Sequence, residues 1–315
     1  MPSEYAIQAQ DISKRYGEVQ ALENVNFNIS KGELFGFIGP DGAGKTTLFR
    51  IITTLLLPDR GSISVMGLDV VKDYIKLRKI LGYMPGKFSL YQDLTVEENL
   101  RFFAGIFKTT PEANYHLVKD IYSQIEPFKN RKAGKLSGGM KQKLALSCAM
   151  IHKPEVLVLD EPTTGVDAVS RIEFWEMLAS LKQQGITIVV STPYMDEASR
   201  CDRVALIQGG KLMSINKPDE IRRNFKYQLW AAESEDMYKL LQDLRQNGAI
   251  RTAFPFGQHI HFTLKDDTVT AAEIALQIET SRGYPVVVHS IDPSVEDCFM
   301  ELMNTESHIS STGQE

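Results

Sequence analysis

"ELFGFIGPDGAGKTTLFRIIT", residues 33–53, carries two periods in one stretch. Residues 33–39 are a continuous apolar run after Glu33, the pattern of a strand covered on both faces in a parallel sheet. "TTLFRIIT", residues 46–53, reads as a helix. The join between them, "GPDGAGKT", fits G-x-x-x-x-G-K-[ST] in the strand-to-helix setting that gives this motif its meaning. Backbone N–H groups of Gly42 to Thr46 are placed to wrap a phosphate, and the helix start adds its dipole. Lys45 reaches the outer phosphate oxygens, and the Thr46 hydroxyl suits Mg²⁺. A lysine set among glycines at a helix start is costly without an anion. Gly39, Pro40, Asp41, Gly42, Ala43, Gly44, Lys45, Thr46 and Thr47 are therefore candidate nucleotide-binding residues.

Outward from this loop, "VLVLD" (156–160) and "ITIVVS" (186–191) repeat the buried-strand pattern, which indicates an α/β core. "VLVLDEPTT" ends its strand in two carboxylates, at the strand end where such sheets bind ligands. Asp160 suits Mg²⁺, held through water, and Glu161 is placed to polarise an attacking water. Between the first two strands a helix-rich insert forms a lobe over about 88–150, with a Thr95/Glu98 capping box and Pro111 opening a second helix. Tyr16, ahead of the phosphate loop, offers a ring to stack on a purine; a core or rim tyrosine is the ordinary alternative.

Bulk composition bounds the rest. A chain of 315 residues exceeds one comfortable core, so two domains are expected. It has no uninterrupted apolar run of the roughly 18 residues that a bilayer span needs, and its first residues lack a basic-then-apolar leader. Three scattered cysteines point to reduced thiols in a cytosol. A net charge of -5 disfavours nucleic acid as a partner. The pattern changes near Lys217 and Pro218, and the remainder of the chain reads strand, helix, strand, strand, helix, strand: a small ferredoxin-like α+β domain. The expected division is 1–225, 226–303 and a polar tail over 304–315.

"LSGGMKQK" (136–143) is a second glycine-rich turn opening onto a helix, with the 156–164 strand and then "TTGVDA" beyond it. In that order with the phosphate loop, these motifs make residues 4 to 225 resemble an ATP-binding cassette (ABC) transporter ATPase of the drug, lipid and antibiotic exporter kind. The resemblance implies a P-loop ATPase fold that takes ATP and Mg²⁺. It implies that Leu136, Ser137, Gly138, Gly139 and Met140 contact ATP held by a second subunit, with Asp167 in the D-loop along the same boundary. It also implies a separate membrane permease, a homodimer or a heterodimer with another such subunit, and a place on the cytoplasmic face of the membrane. Phe88, Leu90, Tyr91 and Leu94 would face the permease; packing inside the lobe explains them equally well. The C-terminal extension of such relatives supports subunit pairing or regulation. Here Ser294 and Asp297 suggest a capping box ahead of an apolar stripe of Phe299, Leu302 and Met303.

The sequence departs from that family twice. Gly86 stands in "LGYMPG" where the family has a glutamine, and Pro193 stands in "STPYMDEA" where it has a histidine. Neither replacement can contact a γ-phosphate through a side chain, and neither Gln92 nor His152 is an obvious substitute. A slow ATP site that lends its signature turn to a better-equipped partner is the expectation. A non-hydrolysing regulatory subunit, or a soluble ABC protein acting on ribosomes or DNA, are the alternatives.

Overall fold

The protein is described by a computed structural model covering residues 4–87 and 90–312, with side chains through residue 304. Phe88 lies outside the described residues. The chain divides into two compact units, Met1–Pro218 and Asp219–Glu315.

In the first unit, strands β1 (Tyr5–Tyr16) and β2 (Val19–Ser30) form a long antiparallel pair. β4 (Arg60–Val65) and β5 (Leu68–Asp69) extend it to the order β2-β1-β4-β5. A second sheet holds β3 (Leu34–Ile38), β6 (Leu81–Met84), β7 (Val156–Asp160), β8 (Thr187–Thr192), β9 (Arg203–Gln208) and β10 (Lys211–Asn216), in the order β10-β9-β3-β8-β7-β6. Its pairings are parallel except at the β9–β10 edge. Every residue of β3, β7 and β8 is buried, as continuous apolar runs require when both faces are covered.

Helix α1 (Lys45–Ile52) succeeds the phosphate loop and buries Leu48, Phe49, Ile51 and Ile52. Phe37 of β3 anchors this layer, with ring centroids 5.0 Å from Phe27, 5.1 Å from Phe35 and 5.7 Å from Phe49. Full burial of each such side chain is worth about 1.5–3 kcal/mol. Helix α2 (Tyr74–Ile80) precedes β6. The lobe then contains α3 (Val96–Ile106), α4 (Pro111–Tyr122) and α5 (Gly138–Met150), and α6 (Ala168–Gln183) comes after β7. Thr95 and Glu98 form the complete capping box at α3, and Pro111 sits in the first turn of α4.

The second unit begins within α7 (Pro218–Arg223) and contains β11 (Leu229–Glu233), α8 (Met237–Gln246), β12 (Ile250–Phe256), β13 (His259–Leu264), α9 (Ala271–Arg282), β14 (Val287–Ile291) and α10 (Val295–Thr312). Its sheet order is β12-β13-β11-β14 with every pairing antiparallel, the connectivity of a ferredoxin-like domain. Ser294 and Asp297 cap α10 reciprocally: the Ser294 N–H donates to Asp297 Oδ2 (2.8 Å) and the Asp297 N–H to Ser294 Oγ (3.2 Å). The helix runs on to Thr312, into the stretch whose sequence suggests a polar tail.

Candidate functional site

Register decides which side chains meet. Ile38 of β3 pairs with Thr192 of β8, and Ser191 of β8 pairs with Asp160 of β7, so three strands end level at one edge of the sheet. The phosphate loop leaves from β3, Glu161 comes directly after β7 and Pro193 directly after β8. The edge is thus fixed by backbone pairing before any side chain contributes.

The loop is held open by glycine. Gly44 adopts φ 104° and any Cβ there would meet the Ala21 carbonyl oxygen at 2.4 Å, so no other residue fits. Lys45 is buried, and its Nζ donates to the carbonyls of Gly39 (2.7 Å) and Pro40 (3.0 Å). The same ammonium stands 3.4 Å from Glu161 Oε1. Glu161 itself sits at φ 50°, a left-handed conformation that costs a non-glycine residue roughly 1–2 kcal/mol. Its N–H donates to both the carbonyl and the hydroxyl oxygen of Ser191, each at 3.0 Å, which supports that backbone shape.

Asp160 Oδ1 accepts from the Ser191 hydroxyl (2.6 Å) and the Thr46 hydroxyl (3.3 Å). Burial and the charge of Asp160 push the Tyr83 phenol up to about 12. Among the described residues no cluster of three or more His, Cys, Asp or Glu could hold a metal alone. One hydroxyl and one carboxylate is instead a donor set for a hard cation that takes its remaining ligands from phosphate and water. Ser191 is a site residue that sequence reasoning misses. Its one signal is a hydroxyl at the far end of "ITIVVS", directly after the buried apolar run Ile188–Val190.

The second glycine-rich turn is built elsewhere in the unit. Ser137 caps α5 by accepting from the Met140 N–H (3.3 Å), and both Ser137 and Gly138 are exposed. The turn is pressed against the start of α6. A Cβ on Gly139 would lie 2.5 Å from Ser170 Oγ, and one on Gly138 would lie 3.2 Å from the Gly165 carbonyl oxygen. Asp167 caps α6 on the Ser170 N–H (3.0 Å), and that bond holds the Asp167 carboxyl below the usual carboxylate range. Leu136 is buried just before the turn.

Gly86 and Pro193 both lie at the phosphate-loop edge. A Cβ on Gly86 would stand 3.0 Å from the Asp160 carbonyl oxygen and 3.7 Å from Glu161 Cβ. Pro193 comes after Thr192, whose carbonyl accepts from the Gly39 N–H (3.3 Å). His152 is stacked on Phe107 with ring centroids 3.7 Å apart, and its Nε2 bonds to the carbonyl of Leu81, at the opposite end of β6 from this edge. Gln92 packs instead against Gly134, its carbonyl accepting the Gly134 N–H (2.9 Å). Tyr16 is 45% exposed at the end of β1, with Lys14 Nζ 5.8 Å from its ring centroid. Tyr91 is half exposed and packs edge-on against Phe102, whereas Leu90 is buried. Among the described residues no helix is long and apolar enough to cross a membrane.

Residues 22–164 match the family model described as ABC transporter. The chain is 41% identical over 223 residues to the probable multidrug ABC transporter ATP-binding protein YbhF of Escherichia coli K12. That match covers 70% of this chain but only 39% of the relative's length. It is 30% identical over 314 residues to the Nod factor export ATP-binding protein I of Rhizobium sp. strain N33, covering 96% of this chain and 99% of the relative. Among solved structures, the dimeric ATP-binding cassette MJ0796 in a post-hydrolysis state with ADP and Pi aligns at TM-score 0.61 and 26% identity, over 67% of this chain and 98% of that one.

Proposed function

Because the chain belongs to the family of ABC transporter ATP-binding subunits, we propose that it binds and hydrolyses ATP to drive an exporter, closing as one of two subunits against a separate membrane permease on the cytoplasmic face. The observation that carries this reading is the edge where Lys45, Thr46, Asp160 and Glu161 converge, with Lys45 Nζ 3.4 Å from Glu161 and the Thr46 hydroxyl 3.3 Å from Asp160. Export is taken from relatives named for multidrug and Nod factor export. The pairing of subunits is taken from the dimeric cassette.

On this reading the phosphate loop and Lys45 grip the β- and γ-phosphates. Thr46 and Asp160 would hold Mg²⁺, which would neutralise phosphate charge there. Glu161 accepts the proton of the attacking water and is aimed by the two hydrogen bonds that Ser191 accepts from its N–H. Ser137, Gly138 and Gly139 face the ATP of the partner subunit, their N–H groups at a helix start serving as anion donors. Closure results because one triphosphate touches both subunits, and hydrolysis releases it.

The chain's own site is slow, because Gly86 and Pro193 bring no side-chain donor to the γ-phosphate. Loss of one positioned donor commonly costs on the order of 10² to 10³ in rate. A steady-state phosphate-release assay on the purified chain tests this, with Glu161→Gln as the control. Slow, Glu161-dependent turnover is expected. Rapid turnover by the chain alone would overturn the slow-site reading, and absence of ATP binding would overturn the whole assignment. Gly86 and Pro193 also favour a second reading, a subunit that closes on nucleotide and never turns it over. Retention of unhydrolysed ATP for hours with Mg²⁺ present distinguishes that case.

A further inference from the structure

A continuous set of side-chain and main-chain contacts joins the two glycine-rich turns within this one chain. At its centre is Glu197, only 3% exposed. A buried carboxylate is costly unless compensated, and this one is compensated from two directions. The Thr192 hydroxyl donates to Oε2 (2.5 Å), and Arg171 Nε donates to Oε1 (3.2 Å). The Arg171 guanidinium also bonds Asp196 (3.0 Å) and lies 4.5 Å from the Tyr194 ring centroid, so its fork is held on three sides.

Each end of this pair reaches one turn. On one side, Thr192 takes the Tyr194 N–H on its hydroxyl (3.0 Å) and the Gly39 N–H on its carbonyl (3.3 Å), pinning the Pro193 segment to the start of the phosphate loop. On the other, the Arg171 N–H donates to the carbonyl of Asp167 (2.9 Å), in the first turn of α6. That same turn carries Ser170, whose hydroxyl fills the space a Cβ on Gly139 would need.

We infer that Arg171 and Glu197 are positioning residues that couple this chain's phosphate loop to its Ser137–Gly139 turn, so that nucleotide seated on one side alters the geometry offered to the partner's nucleotide on the other. The inference rests on the proposed function of the two turns. Its physical basis is rigidity. Proline fixes φ at position 193 and has no N–H, so the segment's orientation depends on Thr192 and Tyr194, both of which are tied to the Arg171–Glu197 pair. Displacement of the Gly39 end is therefore transmitted to α6 as a body rather than absorbed in a loose turn. Coupling through such contacts is typically on the order of 3- to 30-fold in affinity.

The chain's two tryptophans supply the test. Trp175 lies on α6 one turn beyond Arg171 and is 4% exposed, so with Trp230→Phe its emission reports on α6 alone. The full chain carrying Trp230→Phe is titrated with Mg-ATP below the concentration at which it self-associates. Emission and calorimetric Kd are recorded, with hydrogen exchange at residues 138–141. Expected is a nucleotide-dependent change in Trp175 emission and in exchange. Arg171→Met and Glu197→Gln should each retain Kd within about threefold yet lose most of both responses, and the double variant should lose no more than the worse single one. Glu197→Gln keeps an acceptor for Thr192, so it carries the test if Arg171→Met fails to fold. Undiminished responses in the variants, or a Kd that weakens in step with them, would overturn the inference while leaving the ATPase reading intact. No ATP binding by the parent would sink both.

Discussion

Gly86 is packed against the main chain of Asp160, with room for a Cβ only 3.0 Å from the Asp160 carbonyl oxygen. The glycine is therefore more than a missing side chain, because the Asp160 main chain occupies space that a larger residue would need. We expect Pro193→His alone to raise turnover by about tenfold or more, since position 193 is half-buried at the same edge and an imidazole restores one donor. Gly86→Gln alone should gain less, because the end of β7 must shift by a few tenths of an ångström to admit it. Phosphate release by the two single variants and the double, each with and without Glu161→Gln, checks the order. Equal or larger gain from Gly86→Gln would contradict the packing argument.

The Gly139–Ser170 contact makes a second prediction that needs no activity assay. Alanine at 139 would place its Cβ 2.5 Å from Ser170 Oγ and 2.8 Å from Ser170 Cβ, a clash at two atoms of one neighbour. Overpacking of this kind costs about 1–3 kcal/mol. Ser170→Gly removes both atoms, so the Gly139→Ala/Ser170→Gly pair should recover most of the loss, giving a favourable interaction energy in a double-mutant cycle. Urea unfolding of the four proteins measures it.

Much of this organisation is legible in the residues, for physical reasons. Strands β3, β7 and β8 are buried on both faces, so their apolar runs can be read without knowing their neighbours. The capping boxes at Thr95 and at Ser294 are local bonds and are readable as such. β1 and β2 are not. Their pairing is interrupted by register shifts at four places, which breaks the two-residue alternation that marks an antiparallel strand. Ser191 and Thr192 escape because their meaning arises from register with β7 and β3, and Glu197 because its partner Arg171 lies on a separate helix, α6. The close approach at Gly86 is invisible for the same reason, since it depends on where a distant strand ends.

Tyr16 offers a test of the nucleotide end of the site. Its ring is half exposed at the end of β1, and Lys14 shares its face. If it stacks on adenine, Tyr16→Ala should weaken ATP binding by about 1–3 kcal/mol, or roughly 5- to 150-fold. Tyr16→Trp should hold or tighten it, while binding of inorganic triphosphate, which has no base, stays unchanged in both. Calorimetric titration with the two ligands separates stacking from general damage to the loop.

The second unit carries a pH dependence whose sign is set by Asp297. Burial alone pushes its carboxyl up, but the bonds from His261 Nδ1 (2.8 Å) and from the Ser294 hydroxyl and N–H outweigh that, and the carboxyl is held below its usual range. A depressed carboxylate pKa contributes stability that is complete above the unfolded value, near about 3.9, and is lost as pH falls through the lower folded value. The cap of α10 should therefore persist through mildly acid solution and fail only below about pH 4. Asp297→Asn keeps an acceptor for Ser294 but removes the charge, so it should lower stability near neutrality by roughly 1–3 kcal/mol and flatten the acid limb. Urea unfolding of wild type and variant between about pH 2 and 7 reads both effects, since the loss begins below the unfolded value near about 3.9 and deepens as pH falls further. A variant as pH-sensitive as the parent would show that another group governs the acid limb, and that the His261–Asp297 contact adds packing but no net electrostatic stability.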